Sequence, residues 1–276
     1  MSQKIRVAIL DLYAGEANEG MRGIRQSVHG FMGQHQLEFN YDIFDVRLKA
    51  EVPDLSYDIY ISTGGPGDPI ETAGSEWEQK YFDWVEDVRT HNHVHPDDKK
   101  HILLICHSFQ IYCRQYRYGK VSKRRSTSFG VMTVHKTAES AFEPLFKDLD
   151  DPFWVVDSRD YQITKPNLRK INKHGSLLCI EKYRPHVLLE RAVMGIRFDD
   201  AIVGFQFHPE ADAEGIRRYL LRDDKKKFVI KKYGKEKYQN MIEHLEDPDK
   251  IARTYGTVIP RFLKMGLQIK MNRVAV

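Results

Sequence analysis

Hydrophobic positions along the chain fall into two alternating periods. Ile5 to Leu10 is an almost unbroken apolar run, the pattern of a strand covered on both faces. Ile24, Val28 and Phe31 then recur at helical spacing. Leu37 to Val46 alternates apolar and polar residues, Tyr57 to Ser62 reads as a third strand, and Glu76 to Val88 carries a helical stripe through Trp77, Tyr81, Trp84, Val85 and Val88. Ile102 to Cys106 is again apolar on both faces, and Phe109, Ile111, Tyr112, Cys113 and Tyr116 follow at helical spacing. From Phe129 the pattern predicts strands at Gly130 to His135, Phe153 to Asp157, Ser176 to Ile180, His186 to Leu189, Ala192 to Phe198 and Ile202 to Phe207, then a helix over Ala213 to Leu221. Strands alternating with helices predict the α/β class, and the runs apolar on both faces suit strands of a parallel sheet. Beyond Leu221 the sequence is strongly charged with apolar residues at helical spacing, including a helix over Asp249 to Leu263. This divides the chain into an α/β domain, residues 1–222, and a charged helical C-terminal extension, residues 223–276.

Composition narrows the classes. The chain has 276 residues, 41% hydrophobic and 30% charged, which is the balance of a globular protein. A net charge of +4 is mild, and the cluster Lys123, Arg124, Arg125 lacks interleaved aromatics, so nucleic-acid binding is not expected. Three cysteines, Cys106, Cys113 and Cys179, give neither a disulfide framework nor metal spacing, which points to a reducing compartment. The first residues enter a strand pattern without a signal segment, and no apolar run is long enough to span a membrane. A cytoplasmic location is the expectation. His91, His93 and His95 would share one face of an extended segment, but their flanks are polar and offer no further ligand, so a solvated loop is expected and no metal.

Three polar interruptions carry candidate chemistry. At Cys106 a buried strand turns directly into a helix, the layout of a nucleophile elbow. Amide hydrogens and the helix dipole there favour thiolate over thiol. A plain buried core cysteine fits the same residues. Thr63 to Pro69, TGGPGDP, cannot be regular structure; its glycines would let backbone amides approach a ligand, as an oxyanion requires. The strand Ile202 to Phe207 ends in His208-Pro209-Glu210, where His208 would serve as base to a thiol with Glu210 fixing its tautomer, or would simply cap a strand.

In this order and spacing the three stretches resemble the class I glutamine amidotransferases over roughly the first 220 residues, with the amidotransferase part of GMP synthase as the analogue. The resemblance implies an open, mostly parallel α/β sheet flanked by helices and a triad of Cys106, His208 and Glu210; GFQFHPEAD matches the family's last motif closely. It further implies that Gly65 and Gly67 lie against the substrate, that the His107 amide is a second oxyanion donor, and that Gln110 holds the substrate's amino-acid end. Ser158, Asp160 and Tyr161, in SRDYQI, fall where the family has a further substrate-binding strand end. The family elbow usually reads Gly-x-Cys-x-Gly-x-Gln, whereas this chain has Leu104 and Ser108 in the glycine places.

The expected activity is glutamine amide hydrolysis through a cysteine thioester, with no cofactor. Ammonia would pass to a separate synthetase, since the sequence contains neither a Walker-type loop nor an adenylating motif. Two alternatives stay open: a stand-alone hydrolase of γ-glutamyl amides, in which Glu16 and Glu19 of the pocket loop Tyr13 to Gly23 would receive a cationic amine unless they are simply solvated, and a binding or regulatory module whose elbow is distorted by Leu104.

Overall fold

The structure, a computed structural model, describes residues 5–274; residues 1–4, and the last two positions of the expected extension, lie outside the described residues. The chain begins with β1 (Ile5–Asp11), whose Ile5, Val7, Ala8, Ile9 and Leu10 are all buried, and α1 (Glu19–Gln34). Asn18 starts this helix by accepting from the Met21 amide at 2.9 Å, and Met21, Ile24, Val28 and Phe31 form its buried stripe. Next come β2 (Phe39–Asp45), β3 (Ile59–Ser62), α2 (Glu76–Val94), β4 (His101–Ile105) and α3 (His107–Gln115). The second half holds β5 (Lys120–Lys136), β6 (Phe153–Thr164), the short α4 (Leu168–Ile171), β7 (Ser176–Glu181), β8 (Val193–Arg197) and β9 (Ile202–Phe205). The chain closes with α5 (Ala213–Leu221), α6 (Asp223–Tyr233), α7 (Lys235–Glu246), α8 (Ile251–Tyr255) and α9 (Val258–Val274).

All nine strands form one sheet in the order β2-β1-β3-β4-β9-β8-β7-β5-β6. The expected parallel α/β sheet is its first half, β2 to β9; β8, β7, β5 and β6 continue it as an antiparallel arm. Parallel register brings Leu10, Ser62 and Leu104 side by side, with Ile105 beside Phe205. The segments that leave these strands at their carboxyl ends therefore converge on one edge, where ligands of open α/β sheets bind.

Several local expectations change. The β5 strand runs back to Lys120, so Arg124 lies within it and pairs with Glu181 at 2.9 Å instead of standing in a basic surface patch. His186 to Leu189 is not a strand: Pro185 lacks an amide donor, and Leu188 is fully exposed in the loop between β7 and β8. His91 and His93 are not in a loop but in the last turn of α2, where the His95 amide donates to the His91 carbonyl at 2.7 Å. The side chain of His93 points away from that of His91, whereas the His91 and His95 rings lie 4.7 Å apart, so the three do not form the shared face of an extended segment. Among the described residues no group of His, Cys, Asp and Glu is arranged to hold a metal, and no helix is long and apolar enough to cross a membrane. The helix expected over Asp249 to Leu263 breaks at Gly256 into α8 and α9.

The helices after residue 222 bury apolar surface at two places. Val131, Leu220, Val229, Tyr238, Met241 and Leu245 form a cluster that joins α5, α6 and α7 to the antiparallel arm. Val258, Ile259, Phe262 and Leu263 of α9 enter the main core beside β1, β3, β4 and α1. The last helix is thus part of the layer that covers the sheet. Phe262→Ala should lower the unfolding free energy by about 3–5 kcal/mol in urea titrations, whereas Phe228→Ala, at a position 55% exposed, should change it by no more than about 0.5 kcal/mol. Equal effects would place α9 outside the core.

Candidate active site

Cys106 ends β4 and begins α3 with φ 49° and ψ −96°, a left-handed backbone that costs a side-chain-bearing residue about 1–3 kcal/mol. Surrounding bonds hold it there. Its amide donates to the Phe205 carbonyl at 2.7 Å, and its carbonyl accepts the first helical bond from Gln110 at 2.9 Å. Ser108, in one of the glycine places, accepts from the Ile105 amide at 2.8 Å and donates to the Ser62 carbonyl at 2.9 Å, joining the turn to β3. Leu104, the other departure, is relieved from the neighbouring strand. It pairs with Gly204, where a Cβ would come within 2.5 Å of Phe109 and 3.2 Å of the Leu104 Cβ. The glycine that admits the elbow has in effect moved across to β9.

His208 follows β9 and is fixed by its amide, which donates to the Val156 carbonyl of β6 at 3.0 Å. Its Nδ1 donates to Glu210 Oε1 at 2.8 Å, and Glu210 is fully buried. The carboxylate is enclosed by α1. A Cβ at Gly23 would lie 1.9 Å from the Glu210 carbonyl oxygen, so only glycine lets the helix pass so close. One turn earlier, a Cβ at Gly20 would strike the Tyr13 hydroxyl at 2.0 Å and lie 3.1 Å from Glu210 Oε1. Burial, and then the charges of Glu210 and Cys106, push the Tyr13 phenol well above its ordinary pKa, so it stays protonated beside them. For His208, burial alone would lower the pKa, but Glu210 and then Cys106 outweigh it and raise it well above its ordinary value. Because folding raises it, the imidazolium stabilises the fold fully below about pH 6.5, and this contribution is lost as pH climbs through the folded-state value.

The remaining candidates stand around the sulfur in distinct ways. Gly65 and Gly67 line the same cavity as Cys106, while Gly64 stands against Cys106 and His208, its position for a Cβ being 3.5 Å from the Cys106 Cβ and 3.1 Å from His208 Cε1. The His107 ring is buried and pushed down to about 3, first by burial and then by Arg47 and Arg114, so it is a neutral group and no base near neutral pH. Gln110 Nε2 donates to the Gln206 side chain at 3.1 Å and to the Tyr161 carbonyl at 3.3 Å. Ser158 presents its carbonyl to the Cys106 sulfur at 3.9 Å, Asp160 accepts from Thr127 at 2.5 Å, and Tyr161 donates to Asp68. All of these candidates line one cavity of ≈ 550 Å³. Cys113 and Cys179 are fully buried and their thiols are pushed well up by burial, leaving Cys106 as the cysteine at the cavity.

Sequence reasoning missed three features here. Gln206 donates to the Cys106 sulfur at 3.6 Å from within the motif that already contained His208, where alternation along the strand placed it beside the site. Tyr13 and the Gly20/Gly23 pair lie in the first loop and helix, where glycines one turn apart were the available signal of close packing.

Comparison with known proteins adds to this geometry. The profile of the family described as glutamine amidotransferase class-I matches residues 27–227. A homoserine O-acetyltransferase of Petrotoga mobilis is 30% identical over 213 residues, which is 72% of this chain but only 57% of that protein's own length. Among solved structures, a glutamine amidotransferase of Thermotoga maritima superposes with a TM-score of 0.67 at 17% identity, over 95% of this chain and 98% of that one. A glutamine amidotransferase of Methylobacillus flagellatus gives 0.64 at 13% identity, over 95% and 94%. A Thermoplasma acidophilum protein assigned to GMP synthase gives 0.55 at 14% identity, over 98% of each chain. At such identities these structures share the fold.

The ordering of influences on His208 can be checked by NMR titration of its ring protons. Removing a negative charge that favours the imidazolium must lower its pKa, so Glu210→Gln should shift the titration to lower pH, and alkylating Cys106 should shift it down by less. An unchanged titration in Glu210→Gln would contradict the assignment.

Proposed function

The chain belongs to the class-I glutamine amidotransferase family, and from this premise we propose that it hydrolyses the side-chain amide of glutamine through a thioester on Cys106. The observation that carries the proposal is the left-handed turn at Cys106 facing a His208–Glu210 pair bonded at 2.8 Å. His208 takes the thiol proton, with Glu210 holding Nδ1 so that Nε2 serves as the base. The thiolate attacks the amide carbon, and the negative charge that forms on the oxygen is met by the His107 amide and amides of the Gly65–Gly67 loop. His208 then gives its proton to the departing nitrogen, the C–N bond breaks, and ammonia leaves. Water, deprotonated by His208, attacks the thioester and releases glutamate and the thiol. Gln110 and the strand end Ser158, Asp160 and Tyr161 hold the amino-acid end of the substrate. No step requires a cofactor.

In this reading residues 1–222 perform the chemistry in the cytoplasm and ammonia passes to a separate synthetase, supported by the fold shared with the Thermoplasma acidophilum GMP synthase protein. The C-terminal extension braces the site, since Met241 of α7 lines its cavity. The Petrotoga mobilis relative supports a second reading, in which the acyl group on Cys106 passes to an alcohol instead of water. A vestigial site is disfavoured, because Gly204 relieves the crowding that Leu104 would otherwise impose on the elbow.

Steady-state ammonia release from glutamine tests the proposal. Cys106→Ala should abolish it, His208→Ala should reduce it roughly a thousandfold or more, and Glu210→Gln should cost less than His208→Ala. Undiminished release by Cys106→Ala would remove the thioester, and acyl transfer to an added alcohol outrunning hydrolysis would establish the second reading.

A further inference from the structure

The catalytic cavity has two unlike ends. Around Gln110 and the Ser158–Tyr161 backbone it is polar. Toward His208, whose amide donates to the Val156 carbonyl, it is walled by Val156, Ile216, Tyr219 and Met241, with Phe129, the cross-strand partner of Ser158, bordering both parts. Phe129, Val156, Ile216 and Tyr219 pack on the apolar cluster under α5–α7 and are only partly buried, so they keep apolar surface turned to the cavity. Such surface is costly to leave in water unless a ligand covers it. Ammonia, the leaving group of glutamine, has nothing apolar with which to cover it.

The position of this wall relative to the reaction tells what it would meet. His208 must protonate the departing nitrogen, so the leaving group lies on the His208 side of Cys106. The chain from His208 runs through Asp212, the N-cap of α5, straight into the helix that carries Ile216 and Tyr219. Of the carboxylates at this end, Glu19 bonds Arg22 at 2.6 Å, Asp212 also pairs with Arg22, and Glu210 bonds His208 through Oε1 at 2.8 Å while its Oε2 is buried without a partner among the described residues. Glu16 stands exposed at the mouth. A cationic amine would therefore have to compete with Arg22 or His208 for Glu19, Asp212 or Glu210, while an uncharged apolar body would meet the apolar wall directly.

Resting on the thioester reading above, we propose that the apolar end is a leaving-group subsite, and that the site takes γ-glutamyl amides of alkyl- or arylamines in addition to glutamine. The bond changes are those already described: the thiolate adds to the γ-carbonyl carbon, His208 transfers its proton to the amide nitrogen, the C–N bond breaks, and the amine departs neutral. Water then releases glutamate from Cys106.

The test uses the full chain with glutamine, γ-glutamyl-n-butylamide, γ-glutamylanilide and γ-glutamylputrescine. The butylamide and the anilide should each exceed glutamine in kcat/KM by roughly tenfold or more, through a lower KM. The putrescine amide should not exceed glutamine. Butylamine is no better a leaving group than ammonia, so a gain with that substrate reports binding. Ile216→Asp should lower the butylamide-to-glutamine ratio of kcat/KM by roughly tenfold or more, and Ile216→Ser provides the same comparison if the aspartate variant does not fold. Glutamine equal to or better than the butylamide would overturn the subsite while leaving glutaminase chemistry standing. A marked preference for the putrescine amide would overturn it in favour of a cationic site. Failure of every amide, glutamine included, with no adduct on Cys106, would overturn both the subsite and the thioester reading.

Discussion

Everything at the carboxyl edge of the sheet depends on keeping one cysteine in a left-handed backbone between a strand and a helix. That conformation is unfavourable for a residue with a side chain, and it persists because neighbouring strands over-determine it. The Phe205 carbonyl takes the Cys106 amide, Ser108 ties the turn to the Ser62 carbonyl, and Gly204 leaves room for Leu104 and Phe109. The parallel register of β3, β4 and β9 supplies these partners at the right level. The same register that completes the sheet therefore projects the thiol above it.

A second constraint is the burial of Glu210. A carboxylate without water is tolerable only when its charge is met, and here His208 meets it at 2.8 Å while Tyr13 stands beside it as a protonated neighbour. The enclosing wall is α1, brought within contact of the carboxylate's backbone by Gly23. The negative carboxylate and the sulfur together hold a proton on His208 against the effect of burial. An imidazole so placed keeps its proton at the cavity, as the proposed proton transfer to a leaving group requires.

Much of this was legible from the sequence because it rests on local pattern. Apolar runs located β1, β4 and β9, the helical stripe located α5, and the motifs carrying Cys106, His208 and Glu210 arrive at one edge of the sheet as expected. What escaped depends on contacts between distant segments. The antiparallel arm is longer than its apolar residues suggested, because β5 before Ser128 is polar and is held by pairing with β6. Gly204 reads as an ordinary strand residue until its partner Leu104 is known. Ser158 meets the Cys106 sulfur through its carbonyl, and the proximity of Gly64 to Cys106 and His208 depends on the path of a loop, neither of which is written in residue type. The placement of α9 in the core was hidden by the charged stretch that precedes it.

The central claim is a covalent γ-glutamyl thioester on Cys106. Its most direct measurement is acid-quenched turnover of glutamine followed by peptide mass spectrometry. The account predicts that the peptide containing Cys106 gains the mass of a γ-glutamyl group during turnover and loses it once glutamine is exhausted, with Cys113 and Cys179 unmodified. Full-rate ammonia release with the Cys106 peptide unmodified at every quench time, or an adduct on either buried cysteine, would contradict it.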